Sequence, residues 1–107
     1  YNLAAFGISG IETSFSLSYT YLVKGGVLSL PELADRMSAA PARILHLEGG
    51  KIAEGEAADL MIADLKAEYV IDGKKFVSKG KNTPFGGMKV SGKVVCTIVD
   101  GDVKYRA

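Results

Sequence analysis

Two residue types that commonly build catalytic centres are nearly missing: 107 residues hold one histidine and one cysteine. Cys96 alone forms no internal disulfide, and no cysteine cluster exists for zinc. It lies in the apolar run Val94-Val95-Cys96-Thr97-Ile98 and reads as a buried structural thiol, which fits a reducing, cytoplasmic compartment. His46, between Leu45 and Leu47, assembles no convincing Ser–His–acid set and no converging ligand set; it reads as packing or a surface tip. No charge of one sign dominates. Thirteen basic and 12 acidic side chains give +1, so electrostatics gives no reason to expect nucleic acid or an anionic membrane as partner. There is no run of like charges to form a tail. No apolar stretch approaches the roughly 20 residues of a membrane span, and no signal peptide is visible. An initiating Met is also lacking. The opening Tyr1-Asn2-Leu3-Ala4-Ala5 suggests a piece of a longer polypeptide.

What is present is ordinary globular material, 48% hydrophobic and 23% charged. Gly7-Ile8-Ser9-Gly10 permits a tight turn and a close backbone approach. The next stretch is ambiguous. Phe15, Leu17, Tyr19 and Tyr21 alternate with Ser16, Ser18 and Thr20 as in a strand, yet Ile11, Phe15, Ser18 and Leu22 fall at helical spacing. Gly25-Gly26 reads as a helix C-cap. Ser29 and Glu32 form a capping-box pattern around Pro31. Leu30, Leu33, Ala34 and Met37 then give one buried helical face, and Ala40-Pro41 restarts a short helix. After Gly49-Gly50 come β-type runs: Leu60–Ala63, Tyr69–Ile71, Val94–Val99 and Val103–Tyr105. Asp100-Gly101 predicts a type I′ hairpin. The chain thus divides near Leu47–Gly50 into a helical and a β part. The helical part is too short to enclose its own core, so something else has to cover it.

The search for chemistry yields little. The glycines match no nucleotide fingerprint. Glu12 and Asp59 are the carboxylates expected to be buried, with capping or ion pairing favoured over acid–base work. The loop Lys79-Gly80-Lys81-Asn82-Thr83-Pro84-Phe85-Gly86-Gly87 offers Lys79 and Lys81 to an anion, but a solvated connection with Phe85 docked on a core is the favoured reading.

The motifs do resemble a family. Ala5-Phe6-Gly7-Ile8-Ser9-Gly10-Ile11-Glu12-Thr13 is similar to the segment after the last barrel strand of class I dihydroorotases, in the amidohydrolase superfamily. Leu30-Pro31-Glu32-Leu33, Met37-Ser38 and Pro41-Ala42-Arg43-Ile44-Leu45 resemble the helices that follow. Glu54-Gly55 with Ala58-Asp59-Leu60 and Asp64 is shared more widely across the superfamily. Ser78–Phe85 is more specific to dihydroorotases, and Gly92-Lys93-Val94 with Thr97–Gly101 closes the pattern. The resemblance implies an α+β fragment: residues 1–47 the last segment and helices of a (β/α)8 barrel, residues 48–107 the C-terminal part of a composite β-sandwich domain. It tips Thr13–Val23 to helix, its Ser and Thr packed against barrel neighbours.

The implied reaction is the reversible interconversion of L-dihydroorotate and N-carbamoyl-L-aspartate in pyrimidine biosynthesis. Zinc and the proton-shuttling Asp would be supplied upstream of Tyr1, so the segment holds no metal ligand and no catalytic residue and would be inactive alone. Phe6 and Gly7 are the implied substrate-binding residues, acting through backbone groups. Ala5, where the family commonly has Pro, departs from the pattern. The implied partners are the remainder of the dihydroorotase chain and a small-molecule substrate; a homodimer and an association with aspartate transcarbamoylase are compatible. The alternatives are a hydantoinase- or allantoinase-like cyclic amidohydrolase, a non-catalytic dihydroorotase-like partner of aspartate transcarbamoylase, and a free-standing β binding module.

Overall fold

The computed structural model describes residues 2–4 and 6–107; the departure at Ala5 lies outside the described residues. A helical region precedes a three-stranded antiparallel sheet in the order β1-β2-β3. The ambiguous stretch is helical. A 3-10 turn, Ile11–Thr13, leads into α1, Ser14–Ser18, which continues as a π-helical turn over Tyr19–Val23. The Lys24 N–H closes that turn on the Tyr19 carbonyl at 3.0 Å, and Gly26, at φ +78°, ends the run.

The capping box forms as read. The Ser29 N–H donates to Glu32 Oε2 at 2.7 Å, and the Glu32 N–H donates to Ser29 Oγ at 3.3 Å. It starts α2, Leu30–Ala34. The expected restart at Ala40 is instead a continuation: α2 widens into a π turn, Asp35–Ala39, and runs on as α3, Ala40–Ile44. Pro41 explains the widening. A proline in a continuing helix has no N–H for the preceding turn and its ring crowds a carbonyl there. The π turn relieves this by letting the Ala40 N–H reach Asp35 O.

The two β runs expected at Leu60–Ala63 and Tyr69–Ile71 join into one strand, β1, Leu60–Val70. It pairs with β2, Lys89–Val99. The register slips between Asp64 and Glu68, where the Asp64 carboxylate accepts the Lys66 and Ala67 N–H groups at 2.9 and 3.2 Å. Strand β3, Asp102–Arg106, returns from β2 through Asp100-Gly101. Both turn residues have positive φ, +51° and +81°, as a type I′ hairpin requires. Cys96 is buried and unpaired, as expected.

Helix and sheet meet at Gly92, opposite the slip in β1. Ser16 Oγ donates to the Gly92 carbonyl at 2.7 Å and accepts from Tyr69 Oη at 2.8 Å. One turn on, Thr20 Oγ1 accepts the Ser91 N–H at 2.9 Å, and Lys24 Nζ reaches Ser91 Oγ at 3.0 Å. The small hydroxyl residues, expected to face barrel neighbours, are therefore in part used within this chain: Ser16 and Thr20 share a face one helical turn apart and dock on β2. The stacked rings of Phe15 and Tyr19 flank the contact. A Cβ at Gly92 would lie 2.9 Å from Tyr19 Cδ1, and its φ is +84°.

Little else is closed. Among the described residues the buried apolar side chains are Leu33, Ile71, Val90 and Cys96. On the expected apolar helix face only Leu33 is buried, while Leu30 and Met37 remain 38% and 41% exposed. They line a groove of about 1030 Å³ between helices and sheet. The chain exposes 8076 Å², against about 5,700 Å² for a compact monomer of this mass.

Two predictions follow from these contacts. Gly92→Ala combines a strained φ with a clash against Tyr19 and is expected to cost about 2 kcal/mol, read from urea midpoints; a change within error would refute the close approach. Glu32 is held below its ordinary value of 4.5, chiefly by the Ser29 N–H and then by its hydroxyl. A carboxylate so favoured stabilises the fold above its unfolded value, and the contribution is lost as pH falls through the lowered folded value. Glu32→Gln should therefore lower the thermal midpoint at neutral pH, with the gap to wild type closing as pH falls below 4.5; a gap constant through acid pH contradicts this.

Candidate functional site

The sequence-derived site residues lie in the strip before the first helix. Phe6 is fully exposed, and Gly7 has φ +97° with open space where a side chain would stand. That conformation is reached freely by glycine and at a cost by other residues, so a bare peptide surface faces outward here. Among the described residues the Ile8 N–H has no hydrogen-bond partner. The next peptide is tied down: the Ser9 N–H donates to the Asn82 carbonyl at 2.8 Å. The Asn82 side-chain amide donates to the Gly7 carbonyl.

The strip is fixed again at Glu12. Its carboxylate accepts the Val77 N–H at 3.1 Å and the Ser78 N–H at 2.8 Å. Glu12 and Asp59, expected to be buried, are both exposed. Their expected structural use is nevertheless what the geometry shows, since Asp59 Oδ1 accepts the Asp100 N–H at 2.7 Å beside the hairpin turn. Backbone donors, rather than burial, account for both positions.

The loop 76–85 is more than a solvated connection. Lys81 Nζ donates to the Phe76 carbonyl and so closes the loop on itself, while Lys79 is exposed. Phe85 is half-buried, in keeping with the docking expected of it. His46 is exposed at the end of α3 with φ +52°, away from the strip and without a ligand set. Among the described residues no three His, Cys, Asp or Glu side chains gather as a metal site. The donor set here does not fit zinc, and no chemical step is assigned to a metal held by this chain.

Sequence reasoning missed Asn82. It carries no period and belongs to no capping pattern, and its role depends on a contact 75 positions away in sequence. The expected consequence of the Glu12 clamp is testable: Glu12→Gln places an amide N–H₂ or a neutral oxygen opposite two N–H donors. Amide exchange at Val77 and Ser78 should accelerate about tenfold; unchanged protection would refute the clamp.

The amidohydrolase family profile matches residues 2–104. The chain is 53% identical to a dihydroorotase of Thermoanaerobacter sp. (strain X514) over 106 residues, 99% of this chain and 24% of that protein. Among solved structures, L-hydantoinase (dihydropyrimidinase) from Arthrobacter aurescens superposes with a TM-score of 0.88 at 37% identity, over 96% of this chain and 23% of that one. D-hydantoinase (dihydropyrimidinase) from Thermus sp. gives 0.87 at 30% identity, over 98% and 23%. The chain therefore spans about a quarter of the length of the relatives it matches. The likeness to dihydroorotases read from Phe6-Gly7 and Ser78–Phe85 is borne out, and with the profile running through nearly every residue, the chain belongs to the amidohydrolase family.

Proposed function

We propose that this chain is the C-terminal portion of a zinc-dependent dihydroorotase, and that residues 1–47 complete its barrel while residues 48–107 form part of its small β domain. The observation that carries the reading is the 53% identity to a dihydroorotase across nearly the whole chain, against 37% to the hydantoinase of similar fold. The surface supports a missing body. The excess over a compact monomer, roughly 2,400 Å², is of the size that obligate interfaces bury. The groove between helices and sheet is the face that the rest of the chain would cover.

In ring opening, water oxygen adds to the ring amide carbonyl carbon, the C–N bond breaks, and the nitrogen gains a proton; closure returns the water. Zinc, held by residues outside this chain, would supply the Lewis acid. This chain's residues contribute binding alone. Phe6 and Gly7 wall the substrate, and the N–H of Ile8, without a partner among the described residues, takes an anionic oxygen of its carboxylate. The segment by itself would be inactive. Among the described residues no helix is long and apolar enough to cross a membrane; a cytoplasmic enzyme, a homodimer and a contact with aspartate transcarbamoylase belong to the same reading.

The test is turnover by the complete enzyme with zinc. It should interconvert N-carbamoyl-L-aspartate and dihydroorotate, and Gly7→Val should raise KM about tenfold through backbone strain at the wall. Hydrolysis of hydantoins without turnover of dihydroorotate would transfer the assignment to the hydantoinase reading, whose solved structures share this fold. No turnover of either would point to a non-catalytic partner.

A further inference from the structure

The loop 76–85 touches the Gly7–Glu12 strip at several independent places, and the two made by Asn82 act on its backbone. Glu12 takes the Val77 and Ser78 N–H groups. Gly80 lies so close to Ser9 that a Cβ there would stand 2.5 Å from Ser9 Oγ. Asn82 makes the remaining ties with two different groups. Its main-chain carbonyl accepts the Ser9 N–H, and its side-chain amide donates to the Gly7 carbonyl.

The geometry of a peptide unit gives those ties a consequence. Gly7 C=O and Ile8 N–H belong to one planar, trans unit, so they point in opposite directions. Holding the Gly7 oxygen from one side aims the Ile8 hydrogen to the other. Gly7 alone would not hold that plane, because its φ of +97° sits among conformations that glycine exchanges freely. Using up the Ser9 N–H removes the neighbouring donor from competition. Among the described residues the Ile8 N–H is then left without a partner, its direction set by the plane it shares with the Gly7 carbonyl.

The loop is stiff enough to act as an anchor. Lys81 Nζ closes it on Phe76 O, and Thr83 Oγ1 accepts the Phe85 N–H at 3.2 Å. A Cβ on Gly73 would meet Lys81 O at 2.6 Å, so the loop also lies hard against the turn after β1.

We infer that Asn82 is a positioning residue for the substrate-facing Gly7–Ile8 peptide, acting through donation from its side-chain amide to the Gly7 carbonyl. It does not touch substrate. The inference rests on the dihydroorotase reading for the identity of the ligand, but not for the anchoring itself.

Two variants of the complete enzyme separate this role from space filling. Asn82→Asp keeps the side-chain shape but sets carboxylate oxygens against a carbonyl oxygen. Asn82→Ala removes the donor without adding repulsion. The expected order of KM for dihydroorotate is wild type, then Ala at about fivefold, then Asp higher still. The change in kcat should be smaller than the change in KM, and the thermal midpoint should hold. Exchange of the Ser9 amide, measured alongside, should quicken in both variants. If Asp matches wild type and Ala is the worse, the side chain only fills space and the inference falls. Equal KM in all three, with an active wild type, also overturns it. If the wild type does not turn over dihydroorotate, the reaction assignment fails separately: faster Ser9 exchange in Asp than in Ala then upholds the anchor, and unaltered exchange overturns it too.

Discussion

One hydroxyl joins the two halves of this chain. Ser16 is 1% exposed, and its Oγ both donates, to Gly92 O, and accepts, from Tyr69 Oη. A buried polar atom that lost either partner would carry a desolvation cost of roughly 1–3 kcal/mol, so the contact sets both position and rotation of the first helix on the sheet. It works because β2 presents a carbonyl away from its ladder, opposite the register slip in β1. Strand irregularity and helix docking are one feature seen from two sides. Glycine at that point lets the Phe15 and Tyr19 rings lie against the strand.

The position of the Gly7 strip depends on this seam. Thr13, 2% exposed, closes on Gly10 O through both its N–H and its hydroxyl. The helix therefore hands its placement directly to residues 7–10. The loop after β1 then grips the same strip from the sheet side, through Glu12 and Asn82. A strip held from both ends keeps its peptide planes fixed without being buried. Donors aligned in this way lose little freedom in any hydrogen bond they go on to make.

Much of the local structure was legible because its causes are local. The Ser29–Glu32 box and the Asp100-Gly101 turn depend on residues two to four apart, and both formed as read. The Thr13–Val23 stretch was not legible from period alone, because Ser16 and Thr20 fit a strand alternation and a helix face equally well. Their true reason is a pair of long-range hydrogen bonds to Gly92 and Ser91. The continuous run from α2 to α3 was also hidden. Pro41 signals a restart, and only a π turn lets the helix pass it. Phe6 and Gly7 were proposed through likeness to a family, whereas the tie of Asn82 to Gly7 stayed hidden because no spacing rule links the two.

The balance of forces explains why so open a chain can still hold a defined strip. Its apolar surface is largely uncommitted: Ile11, Met37, Ile44 and Ile52 are all exposed to a substantial degree. Hydrophobic burial is non-directional and fixes few orientations, so surface of that kind can be left for a larger body to cover. Among the described residues no buried side-chain nitrogen or oxygen lacks a partner. Directional bonds that set the peptide planes are thus made within this segment, and the area that would stabilise the whole is left at its edges.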